Sequence, residues 1–267
     1  MINLFHEHFQ VVVANTPKLR KEVFKIRYRV FCQELNYERK SNHQDGMEQD
    51  IYDQRSIHCL LLHRASQQYA GCVRLIMAEP SSQASLPFEQ VCRYSLSSCH
   101  SPQSYFCELS RLAVAVKFRQ RLGHQPGAEL TVEGSYSAQA EERSYPLIVP
   151  GLYLAAISLA LDVGLDAIYA LMQPRLASYL QQFGIRLRPI EELEEVHGQT
   201  RLFEISREAA LSSINASTYE VFQKLRSDIR KSWFQADADL STVSLNLHYG
   251  QTGSQTVLQK LEEQMTM

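Results

Sequence analysis

Four short segments of the 267-residue chain set charged side chains inside or beside apolar runs: "RYRVFCQELNY" (27–37), "MEQDIYD" (47–53), "GCVRLI" (71–76) and "ELSRLAV" (108–114). Arg74 stands between Val73 and Leu75, and Glu108 and Arg111 share another strand-like run. A buried charge is costly unless it is paired, so these groups are expected to meet one another. Three arginines (Arg27, Arg74, Arg111) then face four carboxylates (Glu48, Asp50, Asp53, Glu108). That balance leaves one carboxylate without its own arginine, as a general base requires.

Other chemistries fit less well. The acidic stretch lacks the glycine and closing glutamate of a calcium loop, and with three arginines available as partners no metal is expected. His6-Glu7-His8 is too short to make a site alone. The six cysteines contain no C-x-x-C pair and no zinc-like spacing, and several sit in apolar runs as reduced, buried thiols do. Cys107 adjoins Glu108, but no histidine is placed by the sequence to activate it as a nucleophile.

The elements that must carry these residues can be read from periodicity. Thr16-Pro17 is a helix cap followed by a first-turn proline. Leu19, Val23, Ile26 and Val30 continue at helical spacing to about Leu35, with Phe24, Arg27 and Phe31 forming a stripe beside that face. A loop over 41–46 leads into the acidic stretch. Runs 57–62 and 69–78 form a hairpin, and 105–116 a third strand. Residues 79–104 read as an irregular excursion and 117–146 as an insertion or mobile loop. A buried helix (151–163), a strand (165–172), a helix ending on Gly184 and strands at 185–190 and 200–206 follow. An amphipathic helix at roughly 215–233 and a polar tail complete the chain. This order makes an α/β (α+β) layer around one central mixed sheet. The expected division is one domain over 1–206 and a C-terminal extension over 207–267.

Composition narrows the class. The chain is 45% hydrophobic and 21% charged with a net charge of −2, ordinary globular values that give no reason to expect nucleic acid as a partner. Between Lys18 and Lys40, however, eight Lys/Arg stand against three Glu, which fits either a solvated helix face or a surface for an acidic partner. The N-terminus does not read as a signal peptide. The most apolar stretch, interrupted by Pro150-Gly151, is too short to span a bilayer, so a cytoplasmic protein without a transmembrane segment is expected.

Taken together, Arg27-x-x-x-Phe31, Tyr37, Glu48-x-Asp50-x-x-Asp53, Arg74 and Glu108-x-x-Arg111 resemble the signature of the acyl-homoserine-lactone synthases, within the wider GNAT acyltransferase fold. The phrase "ELSRLAV…FR" is similar to that of a branch containing N-acyl amino acid synthases and PEP-CTERM/exosortase-associated acyltransferases. The resemblance implies a GNAT-like, mostly antiparallel mixed sheet flanked by helices. It also implies transfer of a fatty acyl group from acyl carrier protein, less often CoA, to a primary amine such as an amino acid. The acyl thioester is then a co-substrate, and no bound cofactor is expected. Glu108, Asp50 and Arg111 become candidates for the transfer chemistry. Arg27, Phe31, Tyr37, Glu48, Asp53 and Arg74 are candidates for substrate binding, and Leu112, Val114, Arg119 and Arg121 for the acyl donor.

Two departures from the pattern matter. Tyr37 stands where the lactone synthases usually have Trp. The GNAT pyrophosphate loop survives only as Gln120-x-x-Gly123-x-Gln125, followed by Pro126, which disfavours a backbone cradle for CoA. Two roles remain open for Glu108: a base with a desolvated, raised pKa, or a structural partner of Arg74 or Arg111. Because Glu108 and Arg111 are three apart, a regular strand sends them to opposite faces. A β-bulge near Leu109–Ser110, with the strand splayed from its neighbour to admit a pantetheine arm, brings them together. A non-catalytic, GNAT-like sensor of lipid amines or acyl carrier is the alternative from another class.

Overall fold

The computed structural model describes residues 3–78, 85–96, 104–119, 145–193, 200–213 and 218–240. A seven-stranded mixed sheet has the order β1-β2-β3-β4-β5-β7-β6. Its strands are β1 (Phe9–Val13), β2 (Ser56–His63), β3 (Gln68–Met77), β4 (Phe106–Val114), β5 (Ala167–Met172), β6 (Arg188–Leu193) and β7 (Thr200–Ser206). Every neighbouring pair is antiparallel except β4–β5. Helices α1 (Asn3–His8), α2 (Pro17–Arg27), α3 (Val116–Arg119), α4 (Ile148–Val163), α5 (Pro174–Gln181), α6 (Arg207–Ser212) and α7 (Tyr219–Leu240) flank it.

Alternation along the strands sorts side chains onto two unlike faces. One face, with Cys59, Leu61, Val73, Leu75, Cys107, Leu109, Ile168 and Ala170, is predominantly apolar and packs under α4 and α7. The last helix belongs to this same core through Phe222, Leu225 and Ile229, and Arg226 pairs with the buried Asp162 of α4. Gly151 lets Phe5 lie against α4, since a Cβ there would stand 2.3 Å from the Phe5 ring. The opposite face is divided. Leu60, Cys72 and Ala113 take Val23, Ile26 and Val30 of α2 at one end. Ile76, Phe106 and Tyr169 take Leu86, Phe88 and Leu96 at the other. Between these apolar ends lie His58, Arg74 and Glu108, all buried.

Helix α2 begins as expected, with the Thr16 hydroxyl accepting from Leu19 N at 3.2 Å and Pro17 in the first turn. It then widens into a π-helical stretch, Tyr28–Glu34, closed by Leu35 N donating to Val30 O at 2.9 Å.

Several elements differ from the sequence expectation. Strand β1 was not anticipated, although Phe9, Val11 and Val13 alternate inward. Pro150 and Gly151 do not interrupt the apolar helix: Pro150 is its third residue, where no intrahelical N–H bond is lost. Strand β6 starts at Arg188 rather than 185, and the last helix starts at Tyr219. Most of the expected insertion, 120–144, lies outside the described residues.

The bulge exists, but one turn of chain later than expected. Cys72 pairs with Ala113 and Arg74 with Ser110, so β4 carries an extra residue at Arg111–Leu112, not at Leu109–Ser110. Arg111 has φ 50°, the left-handed conformation a tight bulge requires. The β4–β5 ladder runs only from Phe106–Ala167 to Glu108–Tyr169, so the two strands part just beyond Glu108. Gly71 pairs with Val114 beside the bulge, and a Cβ on it would stand 2.5 Å from the Ala113 carbonyl oxygen. Gly71→Ala is therefore expected to cost about 1–3 kcal/mol by overpacking against main chain, read as a lower urea midpoint at unchanged slope.

Candidate active site

The polar middle of the divided face is built around Asp53. The turn Ile51–Arg55 opens with Asp50 as its cap: Asp50 Oδ1 accepts from Tyr52 N at 2.9 Å and Asp53 Oδ2 from Asp50 N at 2.8 Å. That reciprocal cap aims Asp53 Oδ1 at two guanidinium groups, with Arg27 Nη1 at 2.5 Å and Arg74 Nη1 at 2.8 Å. Arg27 also donates through Nε to Glu48, and Arg74 through Nη1 to Asp50 at 2.6 Å and through Nε to Ser110 Oγ at 3.0 Å. Arg111 reaches Glu48 at 3.2 Å, Glu38 at 3.2 Å and Asp50 at 3.5 Å. Its guanidinium lies 5.6 Å from the centre of the Phe31 ring, and Arg20 donates to the Asp53 carbonyl.

The energetics favour a fixed network. Burial raises the Asp53 carboxyl, but Arg27 and then Arg74 more than offset it and hold the group well below the usual carboxylate range. Burial likewise works against the Arg27 charge, and Glu48 and Asp53 reverse it. His58, paired across the ladder with Arg74, sits 3.6 Å from Asp53 Oδ1. Burial drives its pKa well down, so the imidazole stays neutral among three arginines.

Glu108 is the exception. It is 3% exposed and has no ion pair among the described residues; its Oε2 accepts from Phe88 N at 2.8 Å. Burial lifts its pKa from 4.5 to about 7, against the lowering effects of the Phe88 amide, Arg74, Arg111 and Arg55. The reading of Glu108 as a structural partner of Arg74 or Arg111 is thus corrected: both arginines are engaged by Glu48, Asp50 and Asp53. Because the bulge follows Ser110, Glu108, Ser110 and Arg111 all serve the same face. Cys107 points to the opposite, apolar face, and burial pushes its thiol far up, which suits a structural thiol and not a nucleophile.

The remaining candidates are placed less centrally. Tyr37 is 47% exposed, and its N–H is bound to Phe31 O at 2.8 Å. Leu112 and Val114 belong to the main apolar cluster on the far face. Arg119 is engaged by Glu34 of the π-helical stretch, which also accepts from Val116 N at 3.3 Å. Arg121 and the Gln120–Gln125 loop lie outside the described residues. Sequence reasoning passed over Ser110, His58 and Glu38. Ser110 was findable, being two residues from Glu108 on one strand, and His58 is the polar member of the buried run "IHCLLL". Glu38 carried no such signal.

The acetyltransferase (GNAT) domain family matches residues 26–125, the segment from Arg27 through the bulged strand. Solved structures extend the likeness across the sheet. TofI, solved in a ternary complex with an inhibitor and MTA, is 18% identical with a TM-score of 0.51, covering 76% of this chain and 96% of its own. The CoA-dependent acyl-homoserine lactone synthase BjaI, with MTA, is 18% identical at TM-score 0.52, covering 77% and 88%. The fold is GNAT-like. FeeM, an N-acyl amino acid synthase from uncultured soil microbes, is 10% identical at TM-score 0.50, covering 79% and 96%. No curated protein matches the chain by sequence. Among the described residues, no helix is long and apolar enough to cross a membrane.

Breaking the buried network from one side leaves a charge unpaired. Asp53→Asn is expected to lose about 3–5 kcal/mol of unfolding free energy at pH 7. Because the folded pKa of Asp53 is depressed, its contribution is present above the ordinary carboxylate value of 3.8 and is lost as pH falls below it. The stability gap between wild type and Asp53→Asn should therefore narrow in urea titrations at pH 3. A constant gap would remove Asp53 from the centre of the network.

Proposed function

We propose that the protein is an N-acyltransferase that moves a fatty acyl group from an acyl carrier protein thioester to the primary amine of an amino acid or similar small amine. The observation that carries this reading is Glu108, a buried carboxyl lifted to about 7, with no arginine ion pair among the described residues, at the point where β4 and β5 part. FeeM, by its description an N-acyl amino acid synthase, supports the acceptor class. BjaI, described as CoA-dependent, keeps acyl-CoA as the second donor.

An α-amino group has an ordinary pKa near 8 and attacks only when unprotonated. In this reading the amine nitrogen adds to the thioester carbonyl, and its surplus proton passes to Glu108. The C–S bond then breaks, the amide forms, and the proton leaves with the thiolate as free thiol. Backbone N–H groups of β4 at the bulge, where Arg111 and Leu112 share Val73 as their one facing residue on β3, meet the oxyanion. Asp50 and Arg111, both part-exposed, orient the acceptor, while the buried Arg27, Glu48, Asp53 and Arg74 hold them in place. Phe31 and Tyr37 frame the acceptor side, and Leu112 and Val114 meet the acyl chain on the apolar face. The narrower likeness to PEP-CTERM/exosortase-associated enzymes rests on the "ELSRLAV…FR" phrase alone.

The donor preference has a surface counterpart. Lys18, Lys21, Lys25 and Arg29 are all exposed and fall three, four and four residues apart, a single cationic stripe along α2. Such a stripe suits an acidic carrier protein and steers its approach.

Glu108→Gln keeps the shape and an acceptor for Phe88 N, so the protein should fold while kcat/KM falls about 10²–10⁴-fold. Unchanged turnover would take the base role from Glu108. Since its folded pKa is raised, ionising Glu108 costs stability as pH climbs from 4.5 to about 7, and the variant should melt higher than wild type at pH 8. Paired assays with acyl carrier protein and acyl-CoA donors decide the donor. With the carrier, kcat/KM should fall steeply with salt, and Lys21→Glu with Lys25→Glu should lower it about tenfold. Equal rates with both donors, insensitive to salt and charge reversal, would favour CoA.

A further inference from the structure

Glu108 is covered by a strap, residues 85–96, that crosses the β5 end of the divided face. Leu86, Phe88 and Leu96 bury the strap on the sheet, and most of its hydrogen bonds run through its main chain. Glu89 closes it on itself, accepting from Leu86 N at 2.9 Å and Leu96 N at 3.0 Å. Arg55 holds its start by donating to Ser85 O at 2.6 Å. Its far end is held by Glu191 of β6, whose two oxygens each accept from Arg93 N at 3.0 Å and one of which accepts from Tyr94 N at 2.9 Å. Among the described residues, Glu191 has no cation partner. A strand carboxylate is thus spent on two successive amides of a segment almost a hundred positions away.

The fastening leads back to the proposed base. Tyr94, fixed by its amide, sets its hydroxyl 3.2 Å from that of Tyr169, and the Phe88 ring lies 5.1 Å from the Tyr169 ring. Tyr169 is the ladder partner of Glu108. Phe88, so wedged, presents its N–H to Glu108 Oε2. We propose that Glu191 is the positioning residue of Glu108: it fixes the strap, and the strap holds the Phe88 amide on the carboxyl. The effect on catalysis rests on the base reading above; the effect on the carboxyl does not.

The groups facing Glu108 leave it free to report this. Arg74 on β3, Arg111 on β4 and Arg55 on the 51–55 turn stay cationic. Tyr169 on β5 is pushed up by burial and by Tyr94, and Cys107 on the reverse of β4 by burial. Cys92 of the strap is raised to about 12 by burial, with Glu191 and Glu108 adding to it. Burial outweighs the Phe88 amide at Glu108, so freeing the strap, which removes the amide but admits water to the carboxyl, lowers its midpoint.

The experiment follows the carboxyl directly. Full-length protein labelled with carboxyl-¹³C glutamate is titrated by NMR, the Glu108 signal being assigned by its absence in Glu108→Gln. Glu191→Ala should lower the Glu108 midpoint by about one pH unit, and Glu191→Gln, which keeps one acceptor oxygen, by less. The control Glu192→Gln, whose native partner is the exposed Arg201, should leave it unchanged. The acid limb of kcat/KM for Glu191→Ala should shift to lower pH by about one unit, in step with the midpoint. An unmoved midpoint in folded Glu191→Ala overturns the proposal. If that variant fails to fold, an unmoved midpoint in the isosteric Glu191→Gln overturns it. A midpoint that moves while the rate profile stays put supports the positioning role and sinks the base reading.

Discussion

The structure depends on one shared oxygen. Asp53 Oδ1 is bound by Arg27 from α2 and by Arg74 from β3, both fully buried, while Oδ2 is bound by the turn's own amide. Two guanidinium groups that close together repel strongly in a poorly solvated interior, and a carboxylate between them reverses the sign. The helix therefore meets the sheet through two sets of contacts, this triad and the apolar packing of Val23, Ile26 and Val30 on Leu60, Cys72 and Ala113. Hydrophobic packing sets where α2 lies along the strands. The charges decide its rotation, because Arg27 is its one buried cation.

That arrangement also decides which acid is left over. Glu48, Asp50 and Asp53 come from one short segment, so the fold delivers them as a block to the three arginines. Glu108 arrives alone on a strand from the other side, and it is met by an amide. A single neutral donor stabilises a carboxylate less than an arginine does, and burial then dominates. The contrast between Asp53, held far down, and Glu108, lifted to about 7, follows from which element each acid rides on. Neighbouring carboxylates with pKa values driven apart are a common mark of acid–base sites.

Much of this was legible in the sequence, for reasons that can be named. Charged residues inside apolar strands announce burial, and burial forces pairing, so Arg74, Glu108 and Arg111 pointed to a network before any coordinates. The hairpin, β4, β5 and β7 followed from periodicity, with β7 matching residue for residue. Strand β1 was hidden by its brevity and its polar edge, and the bounds of β6 were displaced around Pro189 and its register shift. Pro150 misled because a proline breaks a helix only beyond the first turn. The surplus of one carboxylate was countable, but not the identity of its partner. Phe88 N is a main-chain donor on an irregular segment, and neither composition nor spacing marks such a group.

The bulge links these parts. Without an extra residue at Arg111–Leu112, Arg111 would face the apolar side and enter the cluster under α4, away from Glu48, Asp50 and Glu38. With it, Arg111 adopts φ 50° and turns to Glu48, Asp50 and Glu38. A non-glycine residue in this conformation costs about 1 kcal/mol or more. Three part-exposed ion pairs and the contact with Phe31 offset a cost of that size. The same extra residue shifts the β3–β4 register next to the place where β4 leaves β5. A regular strand would keep one register along β3. One inserted residue thus turns the arginine inward, onto the face where Glu108 stands as β4 and β5 part.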